Sequence, residues 1–153
     1  MRVSQKRVGN NDRMNIPLQN LLARDGPVAI RIREVLQNSL GIYAFGSQLQ
    51  ATATPESDLD LAVLVAGYAD VLVLWDLARD LENLSGYPVD LLDLRAASTV
   101  MQYQVITTGQ RIWADTLQAD LFECYVLSEK TALDVARGPL LKDIATSGKI
   151  YAR

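Results

Sequence analysis

The chain has 153 residues, 49% of them hydrophobic and 22% charged, with a formal net charge of −3. That is enough apolar material for one globular domain with its own core, and the acidic balance gives no general pull toward nucleic acid or an anionic membrane, so direct nucleic-acid binding is not expected. Histidine is absent and Cys124 is the single cysteine, which excludes an internal disulfide, a Ser-His-Asp triad, a Cys-His pair and an imidazole zinc site, and makes the cytoplasm the expected compartment.

Residues 1–15 are polar, carry Arg2, Lys6, Arg7 and Arg13 without apolar periodicity, and read as a flexible, solvated N-terminal extension; residues 16–153 read as one domain that includes a C-terminal helix. "IPLQNLLARDG" predicts a short helix closed by Gly26. Pro27 then suits the first turn of a second helix, with Val28, Ile32, Val35, Leu36 and Leu40 on one face and Gly41 as its stop. "IYAF", residues 42–45, predicts a strand, 47–54 a short helix or loop ending at Pro55, and "DLDLAVLV", 58–65, a strand that becomes wholly apolar as it enters a covered sheet. The apolar run that continues from it is interrupted by Gly67 and Asp70, well short of the roughly 18 residues a membrane helix needs.

From Ala69 to Ser85 the apolar residues recur at spacings of three and four, and Gly86 follows: an amphipathic helix with its stop. "PVDLLDL", 88–94, predicts another strand, "AASTVMQYQVITTG" a helix ending at Gly109, and "QRIWA" a last short strand. Residues 117 to about 137 predict a long helix broken near Gly138 and Pro139. Strands alternating with helices imply an α/β (α+β) fold, a mixed β-sheet flanked by helices. Trp75, Trp113 and Phe45 read as core or interface anchors and Cys124 as a packing residue within a helix.

The chemistry concentrates in "GSQLQATATPESDLDLAVL". Gly46 and Ser47 stand at the end of one strand, where glycine permits close backbone approach and exposed N–H groups with a serine hydroxyl can donate to phosphate oxygens. Ten residues later comes Asp-Leu-Asp, in which strand geometry puts Asp58 and Asp60 on one face. Two carboxylates about 4 Å apart repel by about 4 kcal/mol at an effective dielectric near 20, a conflict that a divalent cation removes; an oxygen-only donor set suits Mg²⁺. Asp90 completes the site if its strand pairs beside the first, whereas alternation puts Asp93, the competing choice, on the opposite face.

"GSQLQATATPESDLDLAVL" together with "VDLLDL" resembles the minimal nucleotidyltransferase (MNT) family of the DNA polymerase β-like superfamily, and more narrowly the MntA-type antitoxins encoded beside HEPN-domain toxins. The similarity covers roughly residues 28–114, including "YQVITTGQRIW". It implies a nucleotidyltransferase fold and transfer of AMP from ATP to a hydroxyl with release of pyrophosphate. By the same resemblance Asp58 and Asp60 bind two Mg²⁺ ions, Asp90 binds the catalytic ion and helps deprotonate the acceptor, and Gly46 and Ser47 hold the outgoing phosphates. The implied acceptor is a tyrosine of the partner toxin, a helical RNase of the HEPN class held in a hetero-oligomer. Many relatives carry arginine and glycine after the serine, where this chain has Gln50 and Ala51. A small-molecule, aminoglycoside-type nucleotidyltransferase and a non-catalytic antitoxin that acts by binding alone are the alternatives.

Overall fold

A computed structural model describes residues 16–46 and 58–147, with side chains through residue 136. The expected N-terminal extension and the expected short helix or loop over residues 47–54, with Ser47, Gln50 and Ala51, lie outside the described residues.

A short α1, Leu18–Leu21, buries Leu21 and leads through a turn into α2, Pro27–Val35. Proline occupies the first turn of α2, where its missing N–H is no loss, and Val28, Ala29 and Ile32 form the buried stripe. The helix ends at Val35 rather than running to Leu40. Ser39, Leu40 and Gly41 belong instead to β1, Ser39–Phe45, because Ser39 and Gly41 pair with Val65 and Leu64 across a bulge. Strand pairing, which the local apolar spacing does not register, decides the boundary.

β2, Leu59–Val65, runs antiparallel to β1 and parallel to β3, Val89–Asp93, while β4, Gln110–Ala114, closes the other side of β1. The sheet order is β3-β2-β1-β4, a mixed four-stranded sheet as the alternation of elements implies. Between β2 and β3 the chain crosses through α3, Val71–Ser85. Asp70 caps that helix by accepting from the N–H groups of Leu72 and Val73 at 2.8 and 3.3 Å, and Gly86 closes it at φ 80°, a left-handed residue that glycine adopts without cost. α4, Thr99–Thr108, begins at the Ser98 cap, and α5 runs from Thr116 to Ser147. The expected break at Gly138 and Pro139 is not there: a proline deletes one rung of the helical ladder without preventing turns on either side.

Helices cover both faces of the sheet. Leu59, Leu61, Val63 and Val65 of β2 pack with Val28 and Ile32 of α2 and Leu74, Leu77 and Leu81 of α3. On the opposite face Ala62 and Leu64 meet Tyr43, Leu94, Val105 of α4, and Phe122 and Val126 of α5. Tyr43, only 2% exposed, donates its hydroxyl to Glu123 at 2.8 Å, and Arg111 reaches Glu123 and Asp120 at 2.8 and 2.7 Å, so one polar cluster ties β1 and β4 to α5. Burial and the Glu123 carboxylate raise the Tyr43 phenol far above its ordinary value. One expectation about packing fails, since Cys124 is exposed on α5; Trp75, expected as a core or interface anchor, is 64% exposed on α3, outside the core. Trp113 and Phe45 are half-buried against the two clusters, Trp113 beneath the Arg33 guanidinium at 4.4 Å.

Candidate active site

The odd residues of β2 fill the core on the α2/α3 side, so strand alternation turns Asp60 to the other face, two residues before Ala62 starts the second cluster. Its backbone partners are Phe45 on β1 and Asp90 on β3. Across this face therefore runs the row Phe45, Asp60, Asp90, with Asp58 exposed just ahead of β2 on the side of the strand that Asp60 shares. The register depends on β3 being parallel: Leu59 N–H donates to the Pro88 carbonyl at 2.7 Å and Leu94 N–H to Val63 at 2.9 Å, which fixes Asp90 directly beside Asp60.

The aspartates do not share one environment. Asp60 is half-buried, while Asp58 and Asp90 are exposed. Burial, then the charge of Asp90, then that of Asp58 raise the Asp60 carboxyl above the usual carboxylate range. Among the described residues no three acidic groups close tightly enough to hold an ion by themselves. The arrangement is a pair of like charges in register with a third at its mouth, which fits a Mg²⁺ ion that keeps waters and substrate phosphates as its other ligands.

Gly46 sits against this pair. Its φ is 83°, and a Cβ there would collide with the Asp60 carboxylate, so both backbone and contact require glycine. Ser47, expected beside it as a phosphate donor, lies outside the described residues. Asp93 is on the opposite face, as alternation demands. It is buried and accepts from the N–H groups of Ala69 and Arg95 at 2.9 and 3.2 Å, binding the loop after β2 to the end of β3. The sequence reading did not anticipate Glu82 of α3, whose carboxylate accepts from Val89 N–H at 3.0 Å next to Asp90. Its spacing from β3 carries no local signal, because the two meet only once α3 packs on the sheet.

The polymerase beta nucleotidyltransferase model matches residues 31–116, the span that holds all three aspartates. The chain belongs to this family. It is 39% identical over 103 residues to the protein adenylyltransferase MntA of Shewanella oneidensis, covering 67% of this chain and 74% of that relative. Solved structures agree. A toxin–antitoxin complex with AMP-PNP superposes with a TM-score of 0.68 at 35% identity, covering 77% of this chain and 95% of that one. The complex of a tri-AMPylated Shewanella oneidensis HEPN toxin with its MNT antitoxin gives a TM-score of 0.63 at 33% identity, covering 77% of this chain and 92% of that one. The chain is an enzyme of the nucleotidyltransferase class with the polymerase β-like fold.

Proposed function

We propose that this chain is the antitoxin of a HEPN–MNT pair and silences its toxin by transferring AMP from ATP to a tyrosine hydroxyl of that protein. The observation that carries the reading is the in-register pair Asp60 and Asp90 with Asp58 at its mouth, in a chain 39% identical to a protein adenylyltransferase. Asp58 and Asp60 are the residues that would hold two Mg²⁺ ions, with Asp90 sharing one. When bound, the ions supply charge neutralisation and alignment for an in-line displacement, which nucleotidyl transfer needs more than covalent help.

The protein's own groups have distinct tasks. Asp90, exposed on an edge strand, accepts the proton of the tyrosine hydroxyl as its oxygen bonds to the α-phosphorus; the bond from that phosphorus to the β-phosphate breaks, and pyrophosphate leaves. Gly46 lets the outgoing phosphates approach the backbone beside Asp60, and Ser47 donates to them. Residues 16–153 act as one domain, in the cytoplasm where ATP is available, within a hetero-oligomer with the toxin.

A hollow among the described residues, away from the aspartates, supports a protein acceptor over a small one. At about 520 Å³ it has the size of a small-molecule site, but it is walled by Tyr68, Arg95, Gln102 and Tyr125 and by none of the three aspartates. Tyr68 and Arg95 follow the C-terminal ends of β2 and β3, whereas Asp58, Asp60 and Asp90 sit at the starts of those strands.

The test is the intact mass of the HEPN-domain protein encoded in the adjoining reading frame after incubation with this chain, ATP and Mg²⁺, beside Asp58→Ala and Asp60→Ala. Added mass in steps of one AMP that requires both aspartates is the expected result. A tight complex without added mass would replace the reading with neutralisation by binding alone, to which Gln50 in place of the usual arginine would then be the clue.

A further inference from the structure

A second, smaller hollow touches the candidate site itself. It lies between the outer side of α3 and the free edge of β3, measures about 280 Å³, and has walls formed by Trp75, Ala78 and Arg79 of α3 and Val89, Asp90 and Leu91 of β3.

Three observations say what fits there. First, β3 is an edge strand. The bonds Leu59 N–H to Pro88 and Leu94 N–H to Val63 set the parallel alternation, which aims the backbone of Asp90 and Leu92 at β2 and that of Val89 and Leu91 outward. Glu82 occupies the outward N–H of Val89. The N–H and carbonyl of Leu91 and the carbonyl of Val89 have no partner among the described residues. Second, Trp75 is 64% exposed at the rim, where its ring can pack on a side chain of a bound segment. Third, the volume stands at the small end of ligand sites, which are ~300–1,000 Å³, and has room for one side chain of a larger substrate.

We propose that the outer edge of β3 and the Trp75 hollow form the acceptor-binding site, which takes the tyrosine-bearing segment of the protein substrate as an added β-strand. The proposal rests on the adenylylating reading above. Side chains of a strand alternate, so a residue paired with Leu91 drops its side chain between Trp75 and Ala78, and its sequence neighbour, paired with Asp90, projects over the face that carries Asp60 and Asp90. The acceptor tyrosine therefore lies next in sequence to a residue whose side chain is seated against Trp75, with Arg79 and Glu82 also in the walls. Strand addition also explains how a chain without an enclosed acceptor pocket among its described residues selects one hydroxyl: backbone pairing at Leu91 fixes which side chain faces Asp90.

The experiment compares Trp75→Ala with Leu72→Ala, a control at an equally exposed position of α3 that does not line the hollow. The substrates are the adjoining HEPN-domain protein and ATP. Trp75→Ala should raise KM for the protein at least tenfold and leave KM for ATP within twofold; Leu72→Ala should change neither. In parallel, the amide of Leu91 in the unaltered chain should exchange at least tenfold more slowly when the HEPN-domain protein is added without nucleotide. AMP transfer with an unchanged protein KM in Trp75→Ala, or an unchanged Leu91 exchange rate, overturns the acceptor site and leaves the adenylylating reading standing. Failure of the unaltered chain to transfer AMP to the protein overturns both.

Discussion

Asp60→Asn keeps the side chain's shape beside Gly46 and removes one charge from the row it shares with Asp90, so it isolates electrostatics from packing. At the ~5 Å spacing of paired strands, two carboxylates repel by about 0.8 kcal/mol at the dielectric of water and about 3.3 kcal/mol at an effective value near 20. Asp90 is exposed and Asp60 half-buried, so solvent screening favours the low end, and we expect the metal-free variant to be about 1 kcal/mol more stable than the unaltered chain. That corresponds to a rise of about 2–4 °C in Tm.

The gain depends on pH in a fixed direction. Because the folded state raises the Asp60 carboxyl, the native chain binds more protons there than the unfolded one, and its stability falls as pH rises from the ordinary carboxylate value of about 3.9 through the raised value. The advantage of Asp60→Asn is therefore full above that window and disappears below it. Thermal unfolding followed by circular dichroism in EDTA, at pH 8 and again near pH 4, reads the difference. Mg²⁺ should raise the Tm of the unaltered chain and leave that of Asp60→Asn nearly unmoved. An Asp60→Asn variant that is less stable at pH 8, or equally stabilised at both values, would refute the account of repelling carboxylates.

Gly46→Ala should cost about 1–2 kcal/mol for the left-handed backbone alone and, by pushing the Asp60 carboxylate aside, lower AMP transfer at least tenfold; unfolding curves and transfer rates check the two effects separately. Asp93→Ala leaves the N–H groups of Ala69 and Arg95 without their acceptor and should cost about 1–3 kcal/mol, with the Mg²⁺-induced rise in Tm retained, the reverse of the pattern at Asp60. Tyr43→Phe removes the hydroxyl donor to Glu123 while Arg111 keeps its ion pair, so denaturant titration should show a loss of about 1 kcal/mol with KM for ATP unchanged.

How far the site was legible in the sequence depended on whether the signal was local. The Asp-Leu-Asp step gives its own face by alternation, and "VDLLDL" carries Asp90 and Asp93 three residues apart, so one had to point away from the other; Asp93 duly serves the loop to α3. The pairing of Asp60 with Asp90 needed a parallel register that no stretch of sequence contains, and the family resemblance supplied it. Misreadings fell where a partner element decides. Ser39–Gly41 continue the apolar spacing of α2 but are claimed by the pairing of β1 with β2. Cys124 lies on a helix that buries Ala119, Phe122 and Val126, yet periodicity does not say where that stripe ends, and it falls outside. The Trp75 hollow had no sequence signature because it exists only between α3 and an edge that the sheet order creates.

The most direct test of the central claim is a crystal of this chain with a non-hydrolysable ATP analogue and Mn²⁺ in place of Mg²⁺, with anomalous scattering used to locate the metal. The account predicts anomalous peaks against the carboxylates of Asp58, Asp60 and Asp90, beside the nucleotide's phosphates and within reach of Gly46. Nucleotide bound with its metal held elsewhere, or with Asp90 turned away from it, would contradict the assignment of these three aspartates as the transfer centre.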